Sequence, residues 1–271
     1  VASSNRYGLI AGNGKFPFLV LEAARSQGID MVVAAIKEET FPEIEQHAGT
    51  VHWMSLGQLG KLIKTFKSEG VNRAVMAGQV KHKQIFSGII PDLKMIQLLA
   101  SLATKNTDSL IGAVAKLLEE EGIHLMDSTA FLGPLLPEPG VLTRRQPSEA
   151  EKKDLDYGYK IARELGRLDL GQSVVVCDGA CVAVEAMEGT DAIIERAAGL
   201  VNGRVLRVVK LAKPNQDLRF DVPVIGPATV RLMARLKASA IAVEARKTLM
   251  IDRAELIGVA DRENVTIVAV E

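Results

Sequence analysis

Along the first 125 residues or so, short apolar runs alternate with series at helical spacing, the order expected of a parallel sheet with helical crossovers. Tyr7 to Ala11 is an apolar strand ending in Gly12-Asn13-Gly14, and beyond Pro17 the stretch Phe18 to Gln27 has a helical pattern closed by Gly28. Met31 to Ile36 is continuously apolar, as a strand covered on both faces should be. Thr50 to Met54 reads as a third strand. Leu59, Leu62, Ile63 and Phe66 then recur at helical spacing up to Gly70, and Arg73 to Ala77 gives another strand ending in Gly78-Gln79. Two helices follow, from Asp92 to Ala103 and from Asp108 to Glu121, the second with Asn106, Thr107 and Asp108 as available caps.

From Leu132 to Pro147 the pattern stops, and four prolines with Gly133 and Gly140 make interdomain-loop composition. The expected organisation is a domain over 1–132, a linker over 133–148 and a second domain over 149–271. In the second, Glu149 to Leu165 is a charged amphipathic helix. Ser173 to Cys177, the turn Asp178-Gly179, and Ala180 to Met187 read as a hairpin, an antiparallel feature missing from the first half. Thr190 and Asp191 are expected to cap a helix to Ala198. Strands at Val205 to Leu211, Val222 to Ile225, Ala240 to Glu244 and Val265 to Val270, with a helix from Ala228 to Lys237, complete a mixed α/β lobe.

Composition narrows the classes. The 271 residues are 48% hydrophobic and 24% charged, with 33 basic against 33 acidic side chains, so the chain is a globular one without a global field to draw it onto nucleic acid or an anionic bilayer. Aromatic residues at 4% leave few stacking platforms for single strands, and nucleic acid is not expected as a partner. The apolar runs are strand-length and no leader pattern precedes Tyr7, which together suggest a cytoplasmic protein with at most peripheral contact with a membrane. Cys177 and Cys181 read as small buried hydrophobes, and four dispersed histidines make no metal pattern.

Three groups of residues could carry chemistry. Gly12-Asn13-Gly14 lies between a strand and a helix, where backbone amides can meet a phosphate, but a dinucleotide fingerprint would place a third glycine where Pro17 stands. Gln79 with Lys81, His82 and Lys83 follows a parallel strand at its carboxyl end, the edge where ligands bind in open α/β sheets, and Asp108 could orient a ligand there or simply cap a helix. The densest polar group lies later: Glu188 to Asp191, Lys210, Lys213, Asn215, Asp217 and Asp221. Lys210 closes an apolar run, and Asp221 opens Asp-Val-Pro-Val-Ile-Gly. Lysines with carboxylates holding Mg²⁺ are the expected equipment for phosphoryl chemistry, and Asp217 and Asp221, four residues apart, could share one hard ion. A salt bridge between Lys213 and Asp217 and a turn role for Asp221 are the plainer readings.

Seven segments in register resemble one family: Ala11-Gly12-Asn13-Gly14-Lys15-Phe16-Pro17, Ala77 to Val80, Asn106-Thr107-Asp108, Leu136 to Thr143, Gly171 to Val176, Glu188 to Asp191 and Phe220 to Gly226. The chain is similar in these to the UDP-2,3-diacylglucosamine pyrophosphatases of lipid A biosynthesis, in the histidine-poor type. The resemblance implies α/β architecture with a Rossmann-like parallel-sheet amino-terminal lobe, a mixed-sheet carboxy-terminal lobe and a ligand cleft between them. It also implies Mg²⁺-dependent hydrolysis of a lipid-linked UDP-sugar, water attacking the phosphorus on the sugar side, with Asp221 essential. From charge and position, Asp191 and Lys210 join Asp221 as expected catalytic residues, and Asp221 with Asp217 as expected metal ligands. Gly12, Asn13, Gly14, Phe16, Pro17, Gln79, Lys81, Asp108, Thr190 and Lys213 are the expected substrate contacts. A nicotinamide-dependent oxidoreductase and a non-catalytic nucleotide- or lipid-binding module are the alternatives. The oligomeric state stays open, a homodimer included.

Overall fold

The computed structural model describes residues 6–80, 91–102 and 107–271, and the chain divides into two compact units. The first comprises Val1–Leu132 with the short segment Leu218–Phe220; the second comprises Gly133–Asp217 and Asp221–Glu271.

In the first unit, β1 (Arg6–Ala11), β2 (Asp30–Ile36), β3 (Thr50–Met54), β4 (Arg73–Ala77) and β5 (His124–Leu125) form one sheet in the order β3-β2-β1-β4-β5. Every pairing is parallel. Helices α1 (Phe16–Ser26), α2 (Leu59–Ser68), α3 (Leu93–Ser101) and α4 (Thr107–Glu120) lie in the crossovers, except that from β2 to β3, which holds only a 3-10 turn at Pro42–Gln46. The strand order reverses between β1 and β4, the Rossmann-like arrangement expected from the alternating pattern. Helix α1 starts two residues earlier than its periodicity suggests, because Pro17 sits in the first turn, where its missing N–H leaves no intrahelical bond unmade. Asp92 caps α3 by accepting from the Met95 N–H at 2.9 Å.

The second unit is built on a six-stranded mixed sheet, β6-β13-β11-β9-β7-β8. Its strands are β6 (Gly140–Val141), β7 (Ser173–Cys177), β8 (Ala180–Val184), β9 (Leu206–Lys210), β11 (Ala238–Glu244) and β13 (Thr266–Val270). A separate parallel pair joins β10 (Val224–Ile225) to β12 (Leu249–Met250). The expected hairpin β7–β8 is present, and both turn residues, Asp178 and Gly179, take the positive φ that a tight two-residue turn requires. One face of the sheet is covered by α5 (Glu149–Arg167), whose Leu155 and Ala162 pack on Val174, Val176, Val209 and Leu211. Gly158 brings that helix close, since a Cβ there would lie 2.8 Å from Val209 Cγ2. The other face is covered by α6 (Thr190–Leu200), α7 (Pro227–Arg235) and α8 (Arg253–Arg262), which supply Ile193, Ala197, Val230, Met233 and Leu256. Helix α8 is not foreshadowed in the apolar pattern: only Leu256, Val259 and Ala260 are buried, among arginines and glutamates.

The proline-rich segment 133–148 is part of this second unit. Gly140–Val141 adds an antiparallel edge strand to β13, and Pro137 O accepts from Arg246 N at 2.8 Å. Arg145 fixes its end. Its guanidinium meets both carboxylate oxygens of Glu151 at 2.8 and 2.9 Å, while Glu151 also forms a capping box with Ser148. Although burial opposes it, the hydrogen bonds from Arg145, Ser239 and Ser148 hold the Glu151 carboxyl down at about 2. Its folded-state value therefore lies below the ordinary one, so the stability it confers is complete above about pH 4.5 and lost as pH falls towards about 2. Glu151→Ala should remove about 3 kcal/mol at neutral pH and flatten the acid limb of urea-unfolding stability against pH. An unchanged acid limb would contradict this account.

Candidate functional site

Alternation along β9 decides where the site lies. Leu206 and Val208 belong to the core under α6 and α7, so Lys210 points to that same face, whereas Arg207 turns to the other and meets Asp154 at 3.0 Å. Lys210 is only 6% exposed. Its Nζ donates to Thr190 Oγ1 at 2.6 Å, at the start of α6. Burial pulls the amine's pKa down, and the carboxylates of Glu185, Asp191 and Asp221 push it back up.

Thr190 is therefore not the helix cap. Gly189 takes that position with φ +89°, and the Thr190 side chain is directed inward, where a buried amine needs an acceptor. Its hydroxyl also meets Ser173 Oγ at 3.1 Å and donates to Glu185 Oε1 at 3.2 Å. Asp191, in the first turn of α6, is exposed and accepts from Thr229 Oγ1 of α7 at 2.9 Å. Asp221 is half-buried and its N–H donates to Asp217 O at 3.0 Å. The centre thus grades from a buried end at Glu185 and Lys210 to an open end at Asp191, and its acidic groups outnumber its amine.

Four of the residues singled out from sequence, Thr190, Asp191, Lys210 and Asp221, are brought together here. Lys213 donates to Asp169 Oδ1 at 2.6 Å. Asp217 is joined to Asp221 through the main chain. Glu185 and Ser173 were not foreseen. Glu185 did carry a signal, as the lone acid within Ala-Cys-Val-Ala-Val-Glu-Ala-Met. Its seat depends on Gly171, where a Cβ would fall 2.0 Å from Glu185 O.

In the first unit the first two amides of the Gly12 loop are bonded within the protein. Gly12 N–H donates to Ala77 O at 2.8 Å and Asn13 N–H to Gln79 O at 2.8 Å, so these two amides close the loops after β1 and β4 on each other instead of facing a ligand. Both glycines serve that approach: a Cβ at Gly12 would stand 2.7 Å from Gln79 O, and one at Gly78, with φ +95°, 2.6 Å from Asn13 O. Asn13 Nδ2 donates to Glu39 O at 3.1 Å, Pro17 is buried, and Gly14 and Phe16 are half-buried beside them. Gln79 is exposed. Lys81, His82 and Lys83, and the side chain of Asp108, lie outside the described residues. Cys177 and Cys181 are free thiols whose pKa values burial pushes up, which leaves them unreactive packing groups.

Fold and site define a two-unit α/β protein whose second unit holds a buried amine among carboxylates. The chain belongs to the LpxI family: residues 6–135 match the LpxI N-terminal domain and residues 138–268 the LpxI C-terminal domain. A relative from Caulobacter vibrioides, named UDP-2,3-diacylglucosamine pyrophosphatase LpxI, is 34% identical over 266 residues and covers 94% of each chain. Among solved structures, phosphoribosylglycinamide synthetase from Anaerococcus prevotii (12% identity, 70% of this chain, TM-score 0.27) and the biotin carboxylase domain of Hydrogenobacter thermophilus 2-oxoglutarate carboxylase (15%, 74%, TM-score 0.27) superpose too loosely to bear on fold or function. This chain spans 35% and 42% of their lengths.

Proposed function

We propose that this chain hydrolyses the diphosphate of UDP-2,3-diacylglucosamine to UMP and 2,3-diacylglucosamine 1-phosphate, with Mg²⁺ as its cofactor. Kinship with the Caulobacter protein over nearly the whole length supports the substrate. The observation that carries the chemistry is Lys210, a buried amine with three carboxylates bearing on it. A nicotinamide cofactor is not favoured, because the amides of Gly12 and Asn13 are already bonded to backbone carbonyls.

The donor set suits a hard ion. Mg²⁺ is commonly bound by one or two carboxylates with phosphate and water oxygens completing its shell, and among the described residues no group of three or more His, Cys, Asp or Glu side chains is placed to hold a metal. Asp221 would hold it with Asp217, four residues before it; a cluster with more carboxylates than amines would otherwise repel a diphosphate. When bound, the ion neutralises charge developing on the phosphoryl oxygens. Lys210 supplies a fixed donor and positive charge for the same oxygens, and Thr229 orients Asp191. In the reaction a water oxygen bonds to the sugar-side phosphorus, the bond from that phosphorus to the bridging oxygen breaks, UMP leaves with that oxygen, and a proton passes to solvent. No helix among the described residues is long and apolar enough to cross a membrane, and a diacylated substrate would be met at a membrane surface.

Turnover in H₂¹⁸O should place the label in 2,3-diacylglucosamine 1-phosphate and leave UMP unlabelled, and chelation of Mg²⁺ should stop the release of UMP. Label in UMP would reverse the point of attack, and undiminished turnover in chelator would remove the metal from the reaction.

A further inference from the structure

The Thr190 hydroxyl has one proton and two lone pairs, and its three neighbours admit one arrangement. The Lys210 ammonium can only donate, so Thr190 Oγ1 accepts from it at 2.6 Å. The Glu185 carboxylate can only accept, so the Thr190 proton goes to Glu185 Oε1 at 3.2 Å. Ser173 Oγ, at 3.1 Å, then donates to the remaining lone pair. Every valence of the hydroxyl is used in one direction, from amine through hydroxyl to carboxylate.

Glu185 itself is poorly explained by stability. It is 6% exposed, and its Oε2 is buried with no hydrogen-bond partner among the described residues, a situation that favours a neutral or apolar side chain if packing alone were at stake. Its backbone is nevertheless held in place, with Glu185 N donating to Ser173 O at 2.9 Å and Gly171 leaving room for its carbonyl. A lysine stem has several rotatable bonds and no preferred endpoint of its own, so an amine that must sit at one point needs a fixed acceptor.

We propose that Glu185 is a positioning residue: by orienting the Thr190 hydroxyl it fixes where the Lys210 amine stands, and Ser173 completes that acceptor. This rests on the reading of Lys210 as a phosphate-facing group, but the placement of the amine can be tested without substrate.

Glu185→Gln, Thr190→Val and Thr190→Ser are made in the full chain, and their folding is checked by thermal melts. With UDP-2,3-diacylglucosamine, Glu185→Gln and Thr190→Val should lower kcat about 10- to 100-fold with little change in KM, whereas Thr190→Ser, which keeps the hydroxyl, should recover most of the loss. In parallel, free protein is treated with an amine-acylating reagent and Lys210 labelling is followed by mass spectrometry. Lys210 should be labelled faster in Glu185→Gln and Thr190→Val than in the unaltered chain or Thr190→Ser. Equal labelling in all four folded proteins overturns the proposal, as does a kcat for Glu185→Gln equal to that of the unaltered chain. If the unaltered chain does not hydrolyse the substrate, the functional reading fails and labelling alone decides the positioning role.

Discussion

Asp221→Asn is expected to lower kcat by about a thousandfold or more while the protein stays folded. Asparagine keeps the shape of the side chain and removes its charge. That charge does two things in this site: it bears on the Lys210 amine, and it would anchor the cation that lets an acidic cluster accept a diphosphate. Because Asp221 is half-buried and its backbone N–H already bonds to Asp217 O, the substitution leaves the local turn intact. UMP release measured across a Mg²⁺ titration, beside a thermal melt, separates the two consequences. Substrate should still bind, and added Mg²⁺ should not restore the rate. A kcat within about tenfold of the unaltered enzyme would remove Asp221 from the reaction.

Lys210→Met carries the second large effect, and it acts on stability as well as rate. Methionine fills a similar volume, but it leaves the buried Glu185 carboxylate without the amine that offsets it, and breaking a buried charge pair from one side costs about 3–5 kcal/mol. For a unit of this size that is a fall in Tm of roughly 10 °C. If Lys210 is the donor to the phosphoryl oxygens proposed above, its loss should lower kcat about 100-fold or more. Combining Lys210→Met with Glu185→Gln should recover part of the stability, because the stranded charge is gone, and none of the activity. If the single variant melts and turns over like the unaltered chain, the amine has neither role.

Both expectations concern residues that were legible to different degrees. Lys210 stands out in a linear reading because it ends Val-Leu-Arg-Val-Val-Lys, and Asp221 because it opens an apolar segment. Glu185 carries little signal, since one acid in a hairpin strand looks like a solvent-facing residue, whereas the folded chain buries it beside Thr190. The Thr190-Asp191 pair reads in sequence both as a helix cap and as part of a polar site; the tertiary environment of Lys210 claims the Thr190 hydroxyl, and Gly189 takes the capping position. The glycine loop after β1 is ambiguous for a similar reason: Gly12-Asn13-Gly14 has the composition of an anion-binding turn, but whether an amide faces a ligand or a neighbouring loop depends on Gly78 and Gln79, more than sixty residues away.

The fold follows the same division. Continuous apolar runs such as Val32 to Ile36 and Val174 to Val176 are buried on both faces wherever they are placed, and so declare themselves as inner strands. The two-residue strands β5, β6, β10 and β12 exist only because a partner strand offers hydrogen bonds, and α8 only because the sheet covers its few apolar residues. The chain's own order of residues determined the alternation of elements, the parallel character of the first sheet, and the face of β9 from which Lys210 projects, since period and handedness are local properties of the backbone. Which acids surround that amine, and which hydroxyl receives it, was decided by packing, because electrostatic and hydrogen-bonding partners are set by distance in space and the separations along the chain from Lys210 to Ser173, Glu185, Thr190 and Asp221 encode none of it.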